Sequence, residues 1–152
     1  MKFCHKTWNV LLTENCVSEL MRHRQSSGSS RENGGQLFAR FVQDGVQVEV
    51  ATVTRGFSRR TRFGFWPDRK AEQADINQLF ERGLHYIGDW HTHPEEVPSP
   101  SATDEQKMQE IFRKSRHELP FMLMVIVGQA VFPRGLFLGV VQATGIQSLD
   151  PC

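Results

Sequence analysis

Residues 36–54 read QLFARFVQDGVQVEVATVT, two runs of alternating apolar and polar side chains broken by Asp44-Gly45. Alternation with period two puts the apolar residues of a strand on one face. Asp-Gly between two such runs is a preferred pair for a tight hairpin turn. The middle of the chain is therefore read as an antiparallel ribbon with one apolar face to cover. Helical patterns on either side can provide that cover. After a first strand in TWNVLLT, Thr13 is placed to cap a helix in which Val17, Leu20 and Met21 recur at helical spacing. Asp68 can cap a second helix through about Leu84, with Ile76, Leu79, Phe80 and Gly83 on one face. LHYIGDWHTH reads as a buried strand ending at Pro94, and SATDEQKMQEIFRKSR as a third helix with Met108, Ile111 and Phe112 inward. PFMLMVIVG and GLFLGVVQA read as two apolar closing strands. Interleaved strands and helices predict an α/β (α+β) fold, a mixed sheet with helices packed on it.

The length of 152 residues fits one domain spanning 1–152, with no repeat or linker. A net charge of +1 argues against a dedicated nucleic-acid binder, and no apolar run is long enough to cross a membrane. Polar residues interrupt the apolar stretch of MKFCHKTWNVLL, which reads as a first strand and not as a signal peptide. Cys4, Cys16 and Cys152 are odd in number, widely spaced and without a CxxC pair. Free thiols, Cys152 on a loose tail and a cytoplasmic location are the expectation.

The stretch GDWHTHPEEVPSPSATD carries the chemistry. In a strand, residues i and i+2 point the same way, so His91 and His93 aim at one side and Thr92 at the other. Pro94 stops the ladder, and the chain loops back to start a helix near Ser101. Asp104, one turn into that helix, can face the strand end. Two histidines and one carboxylate around one zinc ion leave the fourth tetrahedral position open, as catalytic sites do. Upstream, Glu32 in RENGGQLFAR is the best candidate base, and Gly34-Gly35 lets the backbone come close to a neighbour. Ser101 is placed to donate to a developing oxyanion. SATD also fits a helix capping box, so Ser101 has a second reading as a cap.

Glu32, then His91-Thr92-His93-Pro94, then Ser101 and Asp104 resemble the signature of the JAB/JAMM (MPN) metalloproteases: a glutamate, HxH, seven residues, Ser, two residues, Asp. ENGGQL around Glu32 also looks like the family's E-x-GG segment. The resemblance implies a curved mixed sheet between helices, with the cytidine-deaminase-like JAB/MPN architecture. It implies one Zn²⁺ per chain held by His91, His93 and Asp104. Glu32 would act as the base for zinc-bound water, and Ser101 as the oxyanion donor. The activity implied is hydrolysis of a peptide or isopeptide bond after the C-terminus of a ubiquitin-like or conjugated protein. The short chain is most similar to the bacterial JAB peptidases of antiphage CBASS operons, whose substrate is a conjugated cyclic-oligonucleotide synthase. The alternatives are a JAB peptidase acting on a sulfur-carrier or phage-tail precursor, and a non-catalytic MPN-type interaction module. A nucleobase deaminase is set aside because its H-x-E and P-C-x-x-C elements are absent.

His5, His23, His85 and His117 lack partners at ligand spacing and read as surface or core histidines. Trp90 alternates with His91 and is expected in the core. Residues 55–70 mix arginines with Phe63, Phe65 and Trp66. They read as a loop and short strand, a solvated basic loop over core-facing aromatics in preference to a docking surface.

Overall fold

The computed structural model describes residues 1–27, 29–54, 59–60 and 65–152. The first half holds β1 (Lys2–Cys4), β2 (Asn9–Leu12), α1 (Glu14–Arg22), β3 (Gly34–Val42) and β4 (Gly45–Ala51). Two short strands follow, β5 (Arg59–Arg60) and β6 (Phe65–Trp66), then α2 (Arg69–Glu81) and β7 (His85–Thr92). The chain ends with α3 (Ala102–Lys114), β8 (Met122–Val127), β9 (Leu136–Gln142), β10 (Gly145–Ser148) and β11 (Asp150–Pro151).

The hairpin forms where the turn chemistry puts it, with Val42 opposite Gly45. It lies inside a curved nine-stranded sheet in the order β10-β9-β8-β7-β3-β4-β2-β1-β11. The sheet is mixed, as expected: β2 runs parallel to β4 and β7 parallel to β8, and the other pairs are antiparallel. One face carries the main core, with Phe3, Leu12, Leu37, Ile87, Trp90 and Val125 buried and Leu20 of α1 packed among them. On the other face α3 sets Met108 against Met122, Met124 and Ile126, and Leu79 of α2 meets Phe38 and Leu84.

Helix caps follow local chemistry. Thr13 accepts from the backbone of Cys16, and Asp68 accepts from Lys70 and Ala71. The helix faces are narrower than the periodicity suggests. Met21 is 40% exposed and Phe80 61% exposed, because each points past the edge of the surface its helix covers. The second helix stops at Glu81 with Arg82 as its C-cap, so Gly83 and the buried Leu84 belong to the turn into β7.

The C-terminus corrects an expectation. Cys152 is not on a loose tail: β11 pairs with β1, Cys152 N–H donates to Lys2 O at 3.1 Å, and Cys152 and Cys4 form a disulfide. Among the cysteines only Cys16, on the buried face of α1, is a free thiol. The N-terminal segment is two strands, with β1 folded back antiparallel on β2. For residues 55–66, the expected basic loop over aromatics lies outside the described residues, apart from the backbone pairing of β5 with β6.

Candidate active site

The site is built where β7 ends between β3 and β8. Gly34 pairs with His91, and His91 pairs in turn with Ile126 on the far side. Beyond the last strand residue, His93 N–H still donates to Val127 O at 2.9 Å, so its backbone is fixed as firmly as that of His91. Upstream, the β3–β7 register slips at Gly88, whose φ of 151° suits glycine. The bulge leaves Tyr86 and Asp89 on one face, and the Tyr86 hydroxyl donates to Asp89 Oδ1 at 2.9 Å. His91 and His93 continue that face. Trp90 and Thr92 turn to the core, as the alternation predicts, and are 1% and 0% exposed.

The loop that carries Glu32 is held against this strand end. Thr92 N–H donates to Asn33 O at 2.9 Å, and Asn33 N–H donates to Thr92 Oγ1 at 2.9 Å. Thr92 Oγ1 in turn donates to Gln25 Oε1 at 3.0 Å, and Gln25 Nε2 donates to Ser30 O at 2.7 Å. A buried threonine and glutamine thus tie Gln25, Ser30 and Asn33 to β7. Gly35 lets β3 pass close to Thr52 and Trp90: a Cβ there would stand 1.8 Å from Thr52 O and 3.0 Å from Trp90 Nε1. Trp90 Nε1 donates to that same Thr52 carbonyl at 2.8 Å.

The predicted ligands meet. His91 Nε2 lies 3.0 Å from His93 Nε2, and Asp104 Oδ1 and Oδ2 lie 3.2 and 3.3 Å from them respectively. Ligand atoms on a tetrahedral zinc, each about 2.0–2.1 Å from the ion, stand about 3.3 Å apart. The donor set therefore fits zinc in atom type and in spacing. Ligand atoms of Glu32, His91 and His93 all lie within 4.8 Å of one another. On its other nitrogen, His93 has the Glu95 carboxylate at 3.8 Å, a charge contact and not a hydrogen bond.

Ser101 is the N-cap of α3. Its hydroxyl accepts from Asp104 N–H at 3.1 Å and donates to Asp104 Oδ2 at 2.7 Å, and its own N–H donates to Asp104 Oδ2 at 2.8 Å. This is the reciprocal capping box. It fixes the Asp104 carboxylate, and it engages the Ser101 hydroxyl with that carboxylate.

The charges are strongly coupled. Burial acts to raise the Asp104 carboxyl, but hydrogen bonds from His91, His93 and Ser101 outweigh it and hold the group well below the usual carboxylate range. Burial opposes charge on His93, yet the hydrogen bond and charge of Asp104, with Glu95 and Glu32, raise its imidazole above the ordinary range. Burial pushes the Glu32 carboxyl up, against the pull of the two histidines and Lys107. Sequence reasoning did not single out Gln25, Asn33, Lys107 or Asp89. A buried Gln–Thr pair and a lysine one turn beyond Asp104 leave no distinctive spacing to read.

Known proteins resemble this chain in sequence and in fold. The family described as prokaryotic homologs of the JAB domain matches residues 13–137. The chain belongs to this prokaryotic JAB family. A Vibrio cholerae protein named CD-NTase/cGAS isopeptidase is 33% identical over 128 residues, which is 81% of this chain and 78% of that one. A Sinorhizobium fredii protein named "Probable metalloprotease" is 33% identical over 116 residues, 73% of this chain and 71% of that one. In fold, this JAB domain is similar to a solution structure of a Desulfitobacterium hafniense protein. The TM-score is 0.64 at 20% identity, over 91% of this chain and 88% of that one. Among the described residues, no helix of the JAB domain is long and apolar enough to cross a membrane.

Proposed function

We propose that this JAB domain is a metal-dependent isopeptidase that removes a conjugate from a protein C-terminus. His91, His93 and Asp104 hold one zinc ion, Glu32 is the general base and acid, and Ser101 donates to the oxyanion. The observation that carries the reading is the convergence of the His91, His93 and Asp104 ligand atoms beside the Glu32 carboxylate.

A zinc ion held there would supply Lewis acidity for activating water and polarising the scissile carbonyl. The chain's own residues supply the rest. Glu32 is partly buried, and its carboxyl is raised by that burial, so it can accept a proton from water and return it to a departing amine. The Thr92–Asn33 pair of hydrogen bonds keeps the Glu32 loop against the ligands, so the base needs no rearrangement. The Ser101 hydroxyl lies one hydrogen bond from a ligand oxygen and can turn to a developing oxyanion when Asp104 is engaged elsewhere.

The substrate proposed is a conjugate on a nucleotidyltransferase of the CD-NTase/cGAS kind, in antiphage defence. Support comes from the name of the Vibrio cholerae relative. The test is cleavage of such a conjugate by the purified protein, by chelated protein, and by chelated protein given zinc back. Cleavage lost on chelation and restored by zinc is the expected result. Cleavage untouched by complete metal removal would contradict the metal reading. A folded, zinc-loaded protein that cleaves no conjugate would favour the interaction-module alternative.

A further inference from the structure

Glu32 lies outside any helix or strand, in the short stretch before β3 begins at Gly34. That stretch is gripped on both sides of Glu32, and one side chain serves both grips. Gln25 sits just beyond the end of α1 and is 1% exposed. Its Nε2 donates to Ser30 O at 2.7 Å, two residues before Glu32. Its Oε1 accepts from the Thr92 hydroxyl at 3.0 Å, and Thr92 Oγ1 accepts from Asn33 N–H at 2.9 Å, one residue after Glu32.

The direction of every bond in this bridge is fixed. A backbone carbonyl only accepts, so the amide nitrogen of Gln25 faces Ser30 and its oxygen faces Thr92. A backbone N–H only donates, so the Thr92 oxygen takes the Asn33 hydrogen and its own hydrogen points to Gln25. Gln25 and Thr92 are both buried, so no solvent replaces a partner that is lost. Asn33 Nδ2 adds a further tie, donating to His23 O at 3.0 Å at the end of α1.

The anchor point of the bridge is also significant. Thr92 stands between His91 and His93 in sequence and turns to the opposite face. Three consecutive residues thus present two imidazoles on one side and hold the Glu32 stretch on the other. We propose that Gln25 is a positioning residue for the general base: its amide fixes the backbone on either side of Glu32 relative to the two histidines. Gln25 touches neither substrate nor the reacting atoms. This deepens the isopeptidase reading and rests on it for the role of Glu32.

The test separates positioning from stability and from metal binding. Zinc-loaded native protein is compared with Gln25→Met, which keeps the length of the side chain without its polar end. Thr92→Val breaks the same bridge from its other end and carries the comparison if Gln25→Met does not fold. Thr92→Ser keeps the hydroxyl. Each protein is checked for bound zinc and by a melting curve, then assayed on a conjugate at the C-terminus of a CD-NTase/cGAS-type nucleotidyltransferase. In Gln25→Met and Thr92→Val, kcat should fall about 10- to 100-fold, the scale of a misplaced catalytic group, with KM within about twofold and zinc at the native level. Thr92→Ser should bring kcat back to within about threefold of native, because the hydroxyl is kept. In a Glu32→Gln background, Gln25→Met should lower the remaining rate by no more than about twofold, since a residue acting through Glu32 has nothing left to position. An equal fall in both backgrounds, an unchanged kcat, or loss of zinc from a folded variant would overturn the proposal. Amide exchange is read independently of turnover. Asn33 N–H should exchange about tenfold faster in Gln25→Met than in native protein, while Val125 N–H in β8 stays as protected. If native protein cleaves no conjugate, the isopeptidase reading falls and the exchange rates alone decide the bridge. Equal Asn33 exchange in native protein and both bridge-breaking variants would then overturn it.

Discussion

His91 Nε2 stands 3.2 Å from Asp104 Oδ1, although a proline-rich turn and the start of a helix separate the two residues. The contact exists because β7 ends between two bonded neighbours and because the Ser101 capping box fixes the first turn of α3. Each half is a local device. Together they place a carboxylate over two imidazoles.

Removing one of these groups should therefore remove the metal. His91→Ala and Asp104→Ala are each expected to lower zinc affinity by more than about a hundredfold, beyond what loss of an orienting partner costs. Metal analysis after dialysis against a weak chelator reads this directly. Circular dichroism should remain native-like, because both side chains lie at the edge of the fold and outside its core.

The metal-free site predicts two opposite pH slopes. His93 has its folded pKa raised above 6.5, so its pairing with Asp104 stabilises the apoprotein fully below that value. That contribution is lost as pH rises through the raised value. Zinc needs neutral imidazole, so its affinity should increase across the same window. Urea melts and zinc titrations over pH 6–8.5 (about the range a histidine titrates in) should show apoprotein stability falling while affinity climbs. Parallel slopes would remove the His93–Asp104 coupling.

Gly35→Ala tests the close approach of β3 to the backbone of Thr52, just beyond β4. The new Cβ would overlap the backbone carbonyl of Thr52, which cannot rotate away as a side chain could. A loss of about 3 kcal/mol or more in denaturant unfolding is expected, at the high end for overpacking. A loss below about 1 kcal/mol would mean that β3 and β4 can separate there at little cost.

The Cys4–Cys152 link closes almost the whole chain, with a sequence separation of 148. A loop that long is expected to contribute about 2–5 kcal/mol, chiefly by restricting the unfolded chain. Reduction, or Cys152→Ser, should lower the melting temperature without disturbing the metal site, which lies far along the sheet from β1 and β11. Thiol titration of unreduced, denatured protein should find Cys16 alone.

What was legible in the sequence was local. The Asp44-Gly45 turn, the Thr13 and Asp68 caps and the alternation through His91 and His93 each depend on a few neighbouring residues, and each formed as read. Long-range relations were not legible. An odd cysteine count says nothing about two termini meeting at a sheet edge. Helical periodicity placed Phe80 inward, but how far the sheet extends under α2 decides that, and Phe80 lies beyond it. The site divides in the same way. His91, His93, Ser101 and Asp104 share one short stretch, whereas the position of Glu32 depends on β3 pairing with β7 and on the buried Thr92–Gln25 bond.

The most direct test compares native protein with Glu32→Gln, measuring bound zinc and conjugate cleavage on the same preparations. The expected result is one zinc per chain in both, with cleavage lowered about 10²–10⁴-fold in the variant, the usual contribution of a general acid–base group. Equal cleavage by the two proteins at equal zinc content would contradict the account, because the group placed beside the ligands to move the proton would then not be moving it.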